Sequence, residues 1–237
     1  GTGQAVQLAL ACVSGEGTVL LVYGDTPLLS SDSLIQLVAA HVEGECAATV
    51  LTADHPEPTG YGRIIRGANG SLESIIEECD ATDIEREITE INSGVYVFDL
   101  AKLLGAIGRL TDANAQGERY ITDVIEILRA DGERVIPILT PDFIEILGVN
   151  DRVQLAECAA LMRDENNEEW MRDGVTMIDP TTTWVDVTAE LEADCVIYPG
   201  TSIFGSTTIA SGTVIGPRTT LVDCQVAEGA RVIESYC

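Results

Sequence analysis

Basic residues are scarce in this 237-residue chain: 13 Lys and Arg stand against 39 Asp and Glu, a formal charge of -26. Lys102 is the sole lysine. A surface this negative excludes nucleic acid and anionic membranes as partners, because phosphate binding rests on Lys and Arg. An anionic substrate would need a metal ion or local arginines at its site. The acid excess alone reads as solubility or host composition.

Histidine is nearly missing, with only His41 and His55, which argues against histidine-based acid–base chemistry. The seven cysteines (Cys12, Cys46, Cys79, Cys158, Cys195, Cys224, Cys237) are scattered, odd in number and never form C-x-x-C. That pattern excludes a zinc cluster and a secreted disulfide scaffold, and leaves reduced thiols in a cytoplasmic protein. No stretch approaches the ~18 uninterrupted apolar residues of a membrane span, and no signal peptide is visible. The 46% apolar and 22% charged fractions are those of a soluble globular protein. An initiator methionine is also missing: the chain opens "GTGQAV", so the N-terminus is expected to be incomplete.

What is present falls into two patterns. Up to residue 150, strand-length apolar runs alternate with helical ones. "TVLLVYG" and "CAATVLTA" read as buried strands, separated by "SSDSLIQLVAAHVEG", which starts on capping Ser and Asp and stops near Gly44. "SGVYVFDL" is a strand followed by the helix "AKLLGAIGRL". "ITDVIEILRADGE" is a helix with Ile121, Val124, Ile125 and Leu128 on one face, leading into the strand "RVIPILTP". This alternation predicts a mainly parallel sheet covered by helices. Such sheets place ligands beyond the carboxyl ends of their strands, which is where Asp25 falls, just after "VLLVYG".

The charged stretch 151–174 predicts one connecting helix. Beyond it the period changes. Val185, Leu191, Ile197, Ile203, Ile209, Ile215 and Leu221 recur every six residues among Gly, Ser, Thr, Asp and Pro. One residue is then dropped, and Val226 and Val232 resume the interval. Hexapeptide periodicity marks a parallel β-helix whose sides each turn one aliphatic residue inward, and a helix would need a 3.6 period. Residues 185–237 suffice for roughly three coils, near the minimum for a self-supporting solenoid. The C-terminus is therefore also expected to be incomplete. The expected division is 1–150, 151–174 and 175–237.

This order of parts, with "GTG", "YGDTPL", "PTGYGRI", "IIEECDAT", "EINSGVYVF", "NAQGERYITD", "GVNDRVQL" and "GVTMIDPTTTWVD" in sequence, resembles the bacterial bifunctional family of N-acetylglucosamine-1-phosphate uridylyltransferase / glucosamine-1-phosphate N-acetyltransferase. The resemblance covers the whole chain. It implies a Rossmann-like α/β nucleotidyltransferase domain, a linker helix and a left-handed parallel β-helix. It also implies formation of UDP-N-acetylglucosamine and pyrophosphate from UTP and N-acetylglucosamine 1-phosphate, for cell-wall precursors. Gly1 and Thr2 match the family's contact to uracil, and Tyr23, Gly24 and Asp25 its nucleotide and metal segment. Asn150 matches the second metal ligand. Gly62, Glu77 and Asn92 match the residues that hold the amino sugar, with Tyr120 and Thr122 lining the same pocket.

The residue types suit that chemistry. One carboxylate and one amide oxygen are sparse hard ligands, leaving an octahedral Mg²⁺ open to phosphates and water. In-line displacement then relies on positioning and charge stabilisation, and an already ionised phosphate nucleophile needs no side-chain base. Taken singly, these residues have plainer readings: Gly62 and Asn92 as turn residues, Glu77 as one solvated acid beside Glu73 and Glu78, Asn150 as a helix cap. Cys79 departs from the family, where a Lys or polar residue is common.

The resemblance further implies a homotrimer and acetyl-CoA as a substrate of the parent protein. It also implies that the Gly-rich triphosphate loop and the acetyl-transfer site fall outside this chain, which is expected to be inactive by itself. Two alternatives stay open: another sugar-1-phosphate nucleotidylyltransferase using guanylyl, thymidylyl or adenylyl transfer, or a non-catalytic β-helix scaffold.

Overall fold

A computed structural model describes residues 1–237 and divides the chain into two units, Gly1–Gly148 and Val149–Cys237. The first unit comprises α1 (Thr2–Leu10), β1 (Thr18–Leu21), α2 (Ser31–Glu43), β2 (Ala48–Asp54), β3 (Arg63–Arg66), β4 (Leu72–Ile76), β5 (Glu90–Asp99), α3 (Leu100–Ile107), α4 (Asp123–Ala130) and β6 (Val135–Thr140). The helix ends follow local chemistry. Ser30 Oγ accepts from Ser33 N at 3.1 Å to start α2, and Gly44 closes it. Asp99 Oδ1 accepts from Lys102 N at 2.9 Å to start α3, satisfying amides that the helix itself leaves free.

β5 organises the sheet. Its residues from Ile91 to Phe98 are all buried, which explains why it reads as a continuous apolar run. Alternation sends Tyr96 and Phe98 into one core with Leu103, Ile121, Val124, Ile125 and Leu128. Ile91, Val95 and Val97 face the opposite core with Leu37, Leu51 and Ile146. Neither α1 nor the β3–β4 hairpin was legible from sequence pattern.

Strand direction departs from expectation. β5 runs antiparallel to β1, β2 and β3, and β3 antiparallel to β4; only β2 and β6 pair in parallel. The sheet is thus mainly antiparallel. The cause lies in the connections: β2 reaches β5 through the β3–β4 hairpin, without the helical crossover that a parallel pair needs. β1 is likewise not a buried strand. Its residues alternate exposed and half-buried, with Leu20 40% exposed, because β5 is its only neighbour in the sheet.

The second unit opens with α5 (Arg152–Arg172), capped by Asp151, whose Oδ1 accepts from Val153 N and Gln154 N. The cap is therefore Asp151 and not Asn150, whose own N–H donates to Gln154 Oε1 at 2.7 Å. Only Cys158 and Asn167 of α5 are buried. Asn167 Nδ2 donates to Pro180 O and Thr183 O, each at 2.9 Å, fastening the helix to the first coil.

Ten short strands follow: β7 (Thr176–Met177), β8 (Trp184–Val185), β9 (Glu190–Leu191), β10 (Val196–Ile197), β11 (Ser202–Phe204), β12 (Thr208–Ile209), β13 (Val214–Ile215), β14 (Thr220–Val222), β15 (Gln225–Val226) and β16 (Arg231–Val232). They stack into three parallel sheets, ordered β16-β13-β10-β7, β14-β11-β8 and β15-β12-β9, a parallel β-solenoid. Val185 pairs with Ile203, which pairs with Leu221, three hexapeptides per coil. After the dropped residue, Ile209 pairs with Val226 and Ile215 with Val232, so the register shortens without breaking.

The seven aliphatic residues of the repeat are buried. A second buried position lies two residues before each of them: Thr183, Ala189, Cys195, Thr201, Thr207, Thr213 and Thr219. The threonine hydroxyls are satisfied at once, as in Thr201 Oγ1 to Tyr198 O and Thr207 Oγ1 to Phe204 O, both 2.7 Å. This keeps polar atoms inside a narrow core without leaving them unpaired.

Candidate active site

Beyond β1 the chain turns through Tyr23, Gly24 and Asp25, a loop held by Tyr23. Its ring lies over Gly94 of β5, where φ is +80° and a Cβ would come 2.6 Å from Tyr23 Cδ2. The Thr2 side chain lies beside its hydroxyl, and its carbonyl accepts from Thr26 Oγ1 at 3.1 Å. Burial raises the Tyr23 pKa, the Thr2 side chain partly offsets this, and the charges of Glu77 and Asp25 add to it.

Thr2 also accepts from Ile121 N at 3.1 Å, and Gly3 N donates to Arg119 O at 2.9 Å. The start of α1 is thereby stitched to the segment that leads into α4. Gly1 fits there only without a side chain, since a Cβ would lie 2.6 Å from Arg119 O.

Gly62 just before β3, Glu77 just after β4 and Asn92 within β5 converge. Gly62 O accepts from Asn92 N at 2.9 Å. A Cβ at Gly62 would lie 3.5 Å from Glu77 Oε2 and 3.6 Å from Asn92 Cβ. Glu77 Oε1 accepts from Thr122 Oγ1 at 2.9 Å, and Asn92 Oδ1 accepts from Gly94 N at 3.2 Å. Glu77 Oε2 and Asn92 Nδ2 make no hydrogen bond within the protein. Burial pushes the Glu77 carboxyl up, the Thr122 hydroxyl pulls it down, and Asp80 raises it again.

The three neighbouring acids, among which only the motif picked out Glu77, have distinct surroundings. Glu73 is exposed. Glu78 Oε2 pairs with the buried Arg63 at 2.7 Å and accepts from Gly60 N at 3.2 Å. Only Glu77 faces Gly62 and Asn92. Arg63, unnoticed in the sequence, thus anchors the turn that carries Gly62; its place inside "GYGRI" was the available signal.

A groove of about 470 Å³ adjoins this cluster, lined by Glu77, Asp80, Tyr120, Asp123 and Glu126 among others. Tyr120 OH donates to Gln116 Oε1 at 3.0 Å. Burial, then Asp80 and Glu77, push the Tyr120 pKa up to about 12. Burial, then Glu126, Glu77 and Asp80, push that of Asp123 up to about 6.

Gly24 and Asp25 are exposed, with open space where a Gly24 side chain would be. Asp25 makes no ion pair and no side-chain hydrogen bond, so its oxygens are free. Its backbone carbonyl lies 3.9 Å from the position of a Cβ on Gly148. Asn150 is exposed and belongs to the second unit. No group of three or more His, Cys, Asp or Glu could hold a metal without further ligands, and no helix is long and apolar enough to cross a membrane. All seven cysteines are free.

Residues 1–189 match the family model described as nucleotidyl transferase. The chain is 48% identical over 240 residues to "Bifunctional protein GlmU" of Pseudarthrobacter chlorophenolicus, covering 100% of this chain and 49% of that protein. The protein of the same name from Thermobifida fusca is 48% identical over 237 residues, covering 98% of this chain and 49% of the relative. This chain thus spans about half the length of the curated relatives it matches. Among solved structures, a chain from Bacillus anthracis described as a glucose-1-phosphate thymidylyltransferase superposes with a TM-score of 0.53 at 21% identity. The match covers 69% of this chain and 61% of that one, a likeness of fold.

Proposed function

Since the chain belongs to the nucleotidyl transferase family, we propose that it is a portion of an enzyme that transfers a uridylyl group from UTP to N-acetylglucosamine 1-phosphate. The observation that carries this reading is the convergence of Gly62, Glu77 and Asn92, with one acceptor and one donor left unused. A sugar bearing hydroxyls and an acetamido group complements that pair. The 48% identity to proteins named bifunctional protein GlmU, about half of whose length this chain spans, supports the same reading.

In the reaction proposed for the parent protein, a phosphate oxygen of the sugar phosphate attacks the α-phosphorus of UTP. The bond from that phosphorus to the bridging oxygen of the β-phosphate breaks, and pyrophosphate leaves. The nucleophile is already an anion, so no side chain here need take a proton. Glu77 accepts from a sugar hydroxyl and Asn92 Nδ2 donates to the sugar, fixing the ring. The buried Gly62 allows close approach, as a Cβ would crowd Ile75 Cγ2 at 3.2 Å and fill the space beside Glu77 and Asn92. Gly1, Thr2, Tyr23 and Gly24 make the nucleotide side of the site.

The free, exposed carboxylate of Asp25 fits Mg²⁺, which is commonly held by one or two carboxylates together with substrate phosphates and water. We propose the Asn150 amide oxygen as the second ligand on its motif alone. When bound, the ion would neutralise the phosphate charge that develops during transfer. In the parent protein, acetylation of glucosamine 1-phosphate from acetyl-CoA, trimeric assembly and a cytoplasmic location belong to the same proposal.

Calorimetric titration of the chain with UDP-N-acetylglucosamine, with and without Mg²⁺, tests the reading. Binding that Mg²⁺ strengthens in the native chain but not in Asp25→Ala is the expected result. Preference for a GDP-, dTDP- or ADP-sugar would move the protein to a sister activity. Failure to bind any nucleotide sugar would oppose the reading for this chain.

A further inference from the structure

Arg63 is only 1% exposed, and its place in the sheet is set by register. In β3 it pairs with Ile76 of β4 on one side and with Ile91 of β5 on the other. Both pairings are antiparallel, so Gly62, Glu77 and Asn92 make up the next rung, each one residue along. The bond from Asn92 N to Gly62 O, at 2.9 Å, belongs to that rung. Alternation puts the side chains of the two rungs on opposite faces. Ile91 lies in the core with Leu37 and Leu51, whereas Ile75 and Tyr96, two and four residues from Glu77 and Asn92, lie in the core with Leu103. Arg63 therefore stands behind the rung of Gly62, Glu77 and Asn92, with the sheet between it and a ligand on their side.

Its guanidinium reaches the three segments that carry them. Nη1 donates to Tyr61 O, beside Gly62. Nη2 pairs with Glu78 Oε2 at 2.7 Å, beside Glu77, and donates to Arg86 O at 3.4 Å, ahead of β5 and Asn92. Arg86 closes the circuit, as its own Nη2 donates to Glu78 O at 3.4 Å. The Arg63 Nε–H stays buried without a partner. That orphan donor is a cost which an apolar side chain would not carry, so stability alone does not account for an arginine here. A planar fork that meets acceptors in fixed directions is what a guanidinium supplies and an ammonium does not. We propose that Arg63 is a positioning residue that sets the spacing of Gly62, Glu77 and Asn92, and through it the affinity for the sugar, without touching substrate. The effect on the ligand rests on the uridylyltransferase reading, whereas the spacing does not.

The test is Arg63→Lys, which keeps the charge beside Glu78 and removes the fork. Glu78→Gln is the second variant, weakening the same tie from a side chain that is 26% exposed. In the isotope-labelled, ligand-free chain, the Asn92 backbone amide is expected to shift and to exchange with solvent faster, while amides of the β2–β6 pair stay as they were. UDP-N-acetylglucosamine is expected to bind about five- to tenfold more weakly, the order of one lost hydrogen bond, with the affinity for UDP alone unchanged. An Asn92 amide that does not respond in a folded variant would overturn the proposal. Equal losses for UDP and UDP-N-acetylglucosamine would do the same, as a merely structural role predicts. If Arg63→Lys does not fold, the same measurements on Glu78→Gln decide. A native chain that binds neither ligand would overturn the reading of function, while the Asn92 amide would still decide the role of Arg63.

Discussion

The ring of Tyr23 rests on the bare backbone of Gly94, 71 residues later in the chain, with no room for a methyl group between them. Through this contact the loop carrying Asp25 is pegged to the strand that carries Asn92. Gly94→Ala is expected to destabilise the first unit by roughly 2–4 kcal/mol, from overpacking and from its left-handed φ of +80°. Urea denaturation followed by circular dichroism measures this. Tyr23→Ala in the same chain should recover the overpacking part and leave the backbone strain. Equal stability of Gly94→Ala and the native chain would show that Tyr23 is not held there.

Thr122→Val removes the hydroxyl that donates to Glu77. That hydrogen bond lowers the Glu77 pKa against the raising effect of burial, so its loss should raise the pKa further. Carboxyl-carbon NMR titration would read the change directly. A downward shift would contradict the arrangement.

Asp123 gives a dependence of stability on pH. Its folded pKa, about 6, lies above the ordinary 3.8, so the folded state holds the proton more tightly than the unfolded state. Stability from this group is therefore full below about pH 4 and is lost as pH rises through 6. Asp123→Asn, which cannot ionise, should match the native melting temperature near pH 4 and exceed it at pH 7.5. A difference that does not change with pH would refute the assignment.

Glu78→Gln leaves the guanidinium of Arg63, only 1% exposed, without its charged partner. Glu78 itself is 26% exposed, so the cost is that of a buried donor left short of an acceptor, about 1–3 kcal/mol. Loss should fall on the turn bearing Gly60 and Gly62, and amide hydrogen exchange there should quicken before the rest of the unit responds.

Both tryptophans, Trp170 and Trp184, lie in the second unit, so their fluorescence reports that unit alone. Ile203→Ala, at a side chain with no exposure, should lower its stability by about 2–5 kcal/mol. An unchanged fluorescence transition would mean that the coil interior repacks around the gap.

The solenoid was legible residue by residue, down to the dropped position before Val226. Its inward-facing side chains repeat along the chain at an interval fixed by backbone geometry, so each coil states its own pattern. The helix caps at Ser30 and Asp99 are local for the same reason. The direction of β5 was not legible, because an apolar run has no polarity; the connection through the β3–β4 hairpin decided it. Without the motif, residue pattern could not choose Glu77 over Glu73 and Glu78, nor did it find Arg63. Their roles come from partners brought together from distant positions: Glu77 with Thr122, Gly62 with Asn92, Tyr23 with Gly94. Periodicity thus fixed the solenoid and the longer helices, and the motifs named the candidates. Packing between separated segments decided which carboxylate, which amide and which glycine lie side by side.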